Sequence, residues 1–299
     1  MTPSPAEWRA RGRDIETHEG RIFTVDLPPA GAAAQAEPVL ILHGFPVSSW
    51  TFAEAAARVA RDRRVVLFDF LGFGFSAKPH DASFSVFEQA DVTVAIARAL
   101  GLTRLHLWAH DMGTSVATEL LARRERGLLP FELASVTLMA GGVFVEMSQP
   151  TLGQRLLMSA AGPALIRAAG GNKTIFIKQM RRTFARTPEP DVFDSIWSLL
   201  AREDGVARMP LTIQFMHERR RFRRRWIGAL HRVDIPAMIG WGGADPVTPL
   251  ASGERLARET PGAKLTTWPG LGHYPQLEDP AQVADAVAAF LRRADGLAA

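Results

Sequence analysis

Asp111, Asp245 and His273 each stand in a short segment bounded by small residues, just past an apolar run. A carboxylate is ionised near neutral pH, so it can attack carbon without the help of a base. An imidazole oriented by a second carboxylate can take a proton from water. Nucleophile, acid and histidine in that chain order therefore form a candidate hydrolytic triad, with each member at the carboxyl end of a strand.

The segment around Asp111 is the most specific. In Leu105-His106-Leu107-Trp108-Ala109-His110-Asp111-Met112-Gly113 an apolar strand runs directly into a helical stretch, with small residues at 109 and 113. Such a strand–turn–helix bend presents one side chain above a sheet, at a helix N-terminus whose dipole favours an anion. The simpler reading of Asp111 is a helix N-cap; its partners argue against it. Ser115 in Gly113-Thr114-Ser115-Val116-Ala117 superficially resembles a serine nucleophile, but falls one turn inside the helix.

Leu42-His43-Gly44-Phe45-Pro46 follows another apolar run. Gly44 allows close backbone approach, and the N–H groups of Phe45 and Met112 become candidates for an oxyanion hole. His43 itself reads as structural. Trp241-Gly242-Gly243-Ala244-Asp245-Pro246 and Gly270-Leu271-Gly272-His273-Tyr274-Pro275 supply the other two members.

The elements that must position these residues follow from hydrophobic patterning. Runs at 39–42, 65–68, 105–109, 135–140, 237–241 and 263–268 read as strands, most of them buried and parallel. Stretches at 54–61, 87–100, 112–126, 249–259 and 280–293 read as helices. Residues 13–17 and 21–26 flank His18-Glu19-Gly20 as a β-hairpin, and the Ala/Gly/Pro-rich stretch 28–38 reads as a loop. Regular β/α alternation predicts an α/β fold with helices on both faces of a mostly parallel sheet. The alternation fails over residues 143–229, which hold scattered aromatics and breakers at Gly162-Pro163 and Gly170-Gly171. That stretch is read as a helical cap inserted into a core made of 1–142 and 230–299.

Composition narrows the chemistry. Apolar residues make up 47%, enough for a large core. There is no cysteine, which removes disulfides, thiolate metal sites and a cysteine nucleophile. The net charge of +4 gives no reason to expect a nucleic-acid partner. No metal or cofactor motif is visible; Gly72-Phe73-Gly74-Phe75-Ser76 lacks the full dinucleotide pattern. Residues 1–12 carry no apolar stretch behind a basic start, and no run is long enough to span a bilayer, so a cytoplasmic protein is expected. The arginines within 219–225 could steer acidic substrates or touch an anionic membrane. The preferred reading is a solvated helix with Phe222 and Trp226 facing inward.

Three longer stretches carry a family resemblance: Phe68-Asp69-Phe70-Leu71-Gly72-Phe73-Gly74-Phe75-Ser76, Phe222-Arg223-Arg224-Arg225-Trp226-Ile227-Gly228-Ala229-Leu230 and His273-Tyr274-Pro275-Gln276-Leu277-Glu278-Asp279-Pro280. With the triad order, the chain resembles the α/β-hydrolase superfamily over nearly its whole length, in the epoxide hydrolase and haloalkane dehalogenase branch. Within that branch it resembles mesoderm-specific transcript-like proteins. The resemblance implies Asp111 as nucleophile, Asp245 as acid, His273 as base and the Phe45 and Met112 backbone as oxyanion hole. It implies hydrolysis of a small hydrophobic substrate through an alkyl-enzyme ester. Haloalkane dehalogenation, ester or lactone hydrolysis, and a non-catalytic binding protein are the alternatives.

The chain departs from those families where the leaving group is handled. Epoxide hydrolases usually supply cap tyrosines, whereas the single tyrosine here is Tyr274, beside the base. Haloalkane dehalogenases usually place side-chain N–H donors where this chain has Met112 and Phe45. Candidate substitutes in the 143–229 region are His217, Trp197, Arg181 and Gln214, and substrate contacts are expected from His217, Trp197, Phe45 and Tyr274.

Overall fold

The computed structural model describes residues 2–31, 36–169 and 171–296, without the side chains of 165 and 167–169. Part of the 28–38 loop (residues 32–35) and the breaker Gly170 thus lie outside the described residues.

Eight strands form one sheet: β1 (Gly12–Thr17), β2 (Gly20–Leu27), β3 (Val39–Leu42), β4 (Val65–Phe68), β5 (Arg104–His110), β6 (Glu132–Met139), β7 (Ala237–Gly242) and β8 (Lys264–Trp268). Their spatial order is β1-β2-β4-β3-β5-β6-β7-β8. β1 pairs antiparallel with β2, and β2 with β4; every later pairing is parallel. The hairpin expected at 13–26 is thus the antiparallel edge of a parallel sheet.

Alternation along the strands splits the interior into two cores. Leu40, Leu42, Val66, Leu107, Leu138 and Ile239 face one side. Val39, Ile41, Val65, Leu67, Trp108 and Met238 face the other. Helices cover both faces: Val86–Ala99, Met112–Arg124 and Arg223–Leu230 pack together on the first side, and Ala53–Val59 against Pro280–Ala294 on the second. At roughly 25 cal/mol per Å² of apolar area, burying each of these large side chains on two faces is the dominant stabilising term.

Between β6 and β7 the chain leaves the sheet for a run of helices: Leu152–Met158, Gly162–Ala169, Lys173–Arg181, Pro190–Ala201, Gly205–Thr212, Phe215–Arg221 and Arg223–Leu230. Local capping is clear at several starts. Thr151 and Gln154 form a reciprocal capping box, Asn172 accepts from the Ile175 N–H, and Pro190 occupies the first turn of its helix. Among the described residues no helix is long and apolar enough to cross a membrane.

Candidate active site

Asp111 sits at the β5-to-helix bend with φ 47° and ψ −111°, a conformation that costs a non-glycine residue roughly 1–3 kcal/mol. Close packing holds it there. A Cβ added to Gly113 would stand 2.5 Å from the Leu42 carbonyl oxygen and 2.7 Å from that of His43, so only glycine lets the helix approach β3. The Asp111 carboxylate makes no capping bond to its own helix. Oδ2 instead accepts the Phe45 N–H at 3.0 Å. The helix start is served by the Asp111 main chain, whose carbonyl accepts from the Thr114 N–H and hydroxyl.

The Phe45 loop is held from several sides. A Cβ on Gly44 would lie 2.8 Å from His110 Nδ1 and 2.9 Å from Asp111 Cβ. The Tyr274 hydroxyl donates to the Phe45 carbonyl at 3.0 Å. The His43 ring donates from Nδ1 to the Gly44 carbonyl at 2.8 Å, and its Nε2 accepts the Phe70 N–H at 2.9 Å. Burial pulls the His43 pKa down to about 3, so the ring is neutral and structural.

Asp245 is saturated with donors. Oδ1 accepts the N–H groups of Val247 (2.8 Å) and Thr248 (2.9 Å), while Oδ2 accepts the Thr248 hydroxyl (2.6 Å) and faces His273 Nδ1 at 2.8 Å. It therefore caps the local turn and orients an imidazole at once. Burial pushes its pKa up, but His273 and these donors outweigh burial and hold it below the usual carboxylate range. An Nδ1–H donated to Asp245 leaves Nε2 as the unprotonated nitrogen of the neutral His273 ring. Burial lowers the His273 pKa, yet the Asp245 and Asp111 carboxylates prevail and raise it overall.

The His273 loop is clamped by Glu278, whose carboxylate accepts the N–H groups of Gly272 (3.0 Å), Ala185 (3.1 Å) and Arg186 (2.9 Å). The His273 N–H donates to the Thr183 carbonyl at 2.9 Å, and its carbonyl accepts His110 Nε2–H at 2.7 Å. Burial draws the His110 pKa down to about 4, which keeps that ring neutral beside Asp111.

A cavity of about 70 Å³ opens onto Phe45, His273 and Tyr274. An outer chamber of about 280 Å³ shares Gly153, Leu157, Phe176, Gln179 and Met209 with it, and is lined mainly by aliphatic and aromatic side chains. Trp197 belongs to this outer chamber, where its ring packs 5.3 Å from that of Phe176.

His217 departs from expectation. Its side chain is exposed and reaches only the Met158 carbonyl at 3.3 Å, because the helix turns residue 217 away from the face that carries Phe215 inward. Gln214 spends its amide N–H on the Pro210 carbonyl at 2.8 Å, and Arg181 is exposed over the Phe193 ring.

The residue that sequence reasoning missed is Arg219. Taken as part of a solvated cluster, it is instead 5% exposed. Its Nε donates to Ser115 Oγ at 2.7 Å, its Nη2 donates to the Asp111 carbonyl at 2.9 Å, and Nη2 lies 3.6 Å from Asp111 Oδ1. The signal was present: 215, 219, 222 and 226 fall at helical spacing, so Arg219 occupies the same inward stripe as Phe215, Phe222 and Trp226. Arg225 is also engaged, donating to Glu119 at 2.7 and 2.8 Å beside the Trp226 indole N–H. Arg220, Arg221, Arg223 and Arg224 alone keep the solvated character expected of the whole cluster.

Comparison with known proteins agrees with this architecture. The α/β hydrolase fold family matches residues 37–280. Mouse mesoderm-specific transcript protein is 35% identical over 97% of this chain and 89% of its own length. The haloalkane dehalogenase DbeA from Bradyrhizobium elkani superposes with a TM-score of 0.80 at 20% identity, covering 95% of this chain and 98% of that one. A thermophilic esterase from Thermogutta terrifontis does so with a TM-score of 0.76 at 21% identity, covering 95% and 99%. At such identities the two structures speak for the fold alone. The family match over most of the chain, and a relative of this identity along nearly its full length, place the protein in the α/β-hydrolase family.

Proposed function

We propose that this α/β hydrolase attacks a small hydrophobic electrophile with Asp111, in the manner of an epoxide hydrolase. The nucleophile forms an alkyl ester, and His273, oriented by Asp245, activates the water that cleaves it. One observation carries this reading: the Asp111 carboxylate makes no bond to its own helix and stands at a strained bend, with Oδ2 on the Phe45 N–H. An aspartate used only as a cap would turn toward the helix N–H groups. The ester carbonyl formed at Asp111 would keep its oxygen near the Phe45 N–H, which stabilises the oxyanion as water adds.

His273 suits the second half of the cycle. Its Nδ1 is committed to Asp245, so a single nitrogen is left to take a proton. General-base help of this kind is typically worth about 10²–10⁴-fold. The apolar outer chamber fits a hydrophobic substrate whose reactive carbon enters the smaller cavity beside His273.

The test is a His273→Gln variant mixed with styrene oxide and examined by peptide mass spectrometry. The expected result is a stable adduct of the epoxide's mass on the peptide that contains Asp111. An unmodified Asp111, with turnover lost, would overturn the reading. Accumulation of an acyl adduct from an aryl ester, with none from epoxides, would replace it with ester hydrolysis.

A further inference from the structure

We infer that Arg219 is a catalytic residue, which pairs with the oxygen anion formed as Asp111 is alkylated and so selects electrophiles whose leaving group is a tethered oxygen anion. The inference rests on Asp111 as nucleophile, and answers the question that reading leaves open. The chain has one tyrosine, and its hydroxyl is bound to the Phe45 carbonyl. The ring-opened oxygen of a strained cyclic ether therefore needs another donor.

Arg219 is placed to supply it. It comes from the helix Phe215–Arg221, lies over the Phe215 ring at 4.6 Å, and brings Nη2 to 3.6 Å from Asp111 Oδ1. Oδ1 is the oxygen that the Phe45 N–H does not hold. Space for the guanidinium is specific: a Cβ on Gly142 would stand 2.9 Å from Nη1. Among the described residues, Asp111 is the only carboxylate in ion-pair contact with Arg219. A desolvated cation is costly unless an anion faces it.

Charge balance then dictates the role. Asp111 bonds to a ring carbon, the carbon–oxygen bond of the ring breaks, and its electron pair passes to the ring oxygen. The carboxylate has become a neutral ester, so Arg219 would be a buried cation without its partner. The new alkoxide, still tethered to the adjacent carbon, restores the pair by accepting guanidinium N–H bonds. Arg219 keeps its own proton throughout, as guanidinium does in proteins. Water deprotonated by His273 next adds to the ester carbonyl and Asp111 is released as carboxylate. The two protons of that water end on the two hydroxyls of the diol.

The experiment compares leaving groups on one skeleton. Single-turnover formation of the Asp111 adduct is followed by quench and mass spectrometry with styrene oxide and with (2-bromoethyl)benzene. Arg219→Met is expected to slow alkylation by the epoxide about 10²–10³-fold, the usual loss for one oxyanion donor. Bromide is a far weaker base, and its loss should slow less than roughly 10-fold on the same scale. Arg219→Lys, which keeps the charge but not the planar fork, should fall between wild type and Met and reads the same ratio if Met does not fold. An equal decrease with both substrates, or none with the epoxide, would overturn the inference while leaving Asp111 as nucleophile. Absence of any Asp111 adduct in the wild-type protein would remove both.

Discussion

The Tyr274 hydroxyl and the Asp111 carboxylate grip the same residue from opposite ends: Tyr274 donates to the Phe45 carbonyl at 3.0 Å, and the Phe45 N–H donates to Asp111 Oδ2 at 3.0 Å. The chain's single tyrosine thus sets the backbone that faces Asp111. Replacing it with phenylalanine leaves a buried carbonyl without its donor, at a cost of about 1–3 kcal/mol. Tyr274→Phe should lower the unfolding free energy by that order in urea titration. It should also reduce kcat about 10-fold or more with little change in KM, since the donor lost to precise placement acts in the transition state.

Gly44→Ala should be more damaging to activity than to folding. The new Cβ would meet His110 Nδ1 at 2.8 Å and Asp111 Cβ at 2.9 Å, and neither ring nor elbow can retreat far. Overpacking of this kind typically costs about 1–3 kcal/mol. Thermal denaturation should show that loss, while turnover should fall by two orders of magnitude or more as the Phe45 N–H leaves Asp111.

The pH dependence follows from His273. In the proposed cycle His273 must be neutral to accept a proton; burial lowers its pKa, but Asp245 and Asp111 outweigh burial and raise it above the ordinary 6.5. Turnover limited by ester hydrolysis should therefore rise with pH along a limb centred above 6.5. Asp245→Asn removes the largest raising influence, so the limb should move to lower pH as kcat falls. For stability the sign is opposite: the charged imidazole between two carboxylates favours the fold below the unfolded value, and that contribution fades as pH climbs through the folded value.

Much of this arrangement was legible in the chain. The apolar runs 39–42 and 65–68 coincide with the observed limits of β3 and β4, and the run 237–241 stops one residue short of the end of β7, because buried parallel strands are short apolar runs with turn residues at each end. The elbow was legible because strand, small residues and helix are contiguous there. Asp245 and His273 could be paired only through their order along the fold. What the sequence hid lies between β6 and β7. His217 looked like a donor and Arg219 like a surface charge, and two positions along a helix exchange those fates. A single polar residue in an apolar stripe is easily averaged away when a window is rich in arginine. The inward spacing from Phe215 to Trp226 held the correct answer.

Far from the site, the end of the last helix is stapled to the sheet. Arg63 is fully buried, and its Nη1 donates to Asp295 Oδ2 at 2.8 Å, while His106 Nε2 donates to Oδ1 at 2.8 Å and His106 Nδ1 accepts from Ser135 Oγ at 2.7 Å. Asp295→Ala leaves the buried Arg63 guanidinium with only the Asp62 carboxylate at 3.9 Å and the Glu37 carbonyl at 3.4 Å, which should cost about 3–5 kcal/mol. Denaturant unfolding should register that loss, whereas kcat measured on the folded fraction should stay within about two-fold of wild type, because no member of the staple reaches the cavity beside His273.

The claim that Asp111 is the atom donor is tested most directly by a single turnover of styrene oxide in ¹⁸O-water with enzyme in excess. Water that adds to an alkyl ester at Asp111 leaves its oxygen in the carboxylate, so the label should appear in the Asp111 peptide and be absent from the first diol released. Label found in the first diol, with an unlabelled Asp111, would mean that water attacks the substrate itself and would contradict the account.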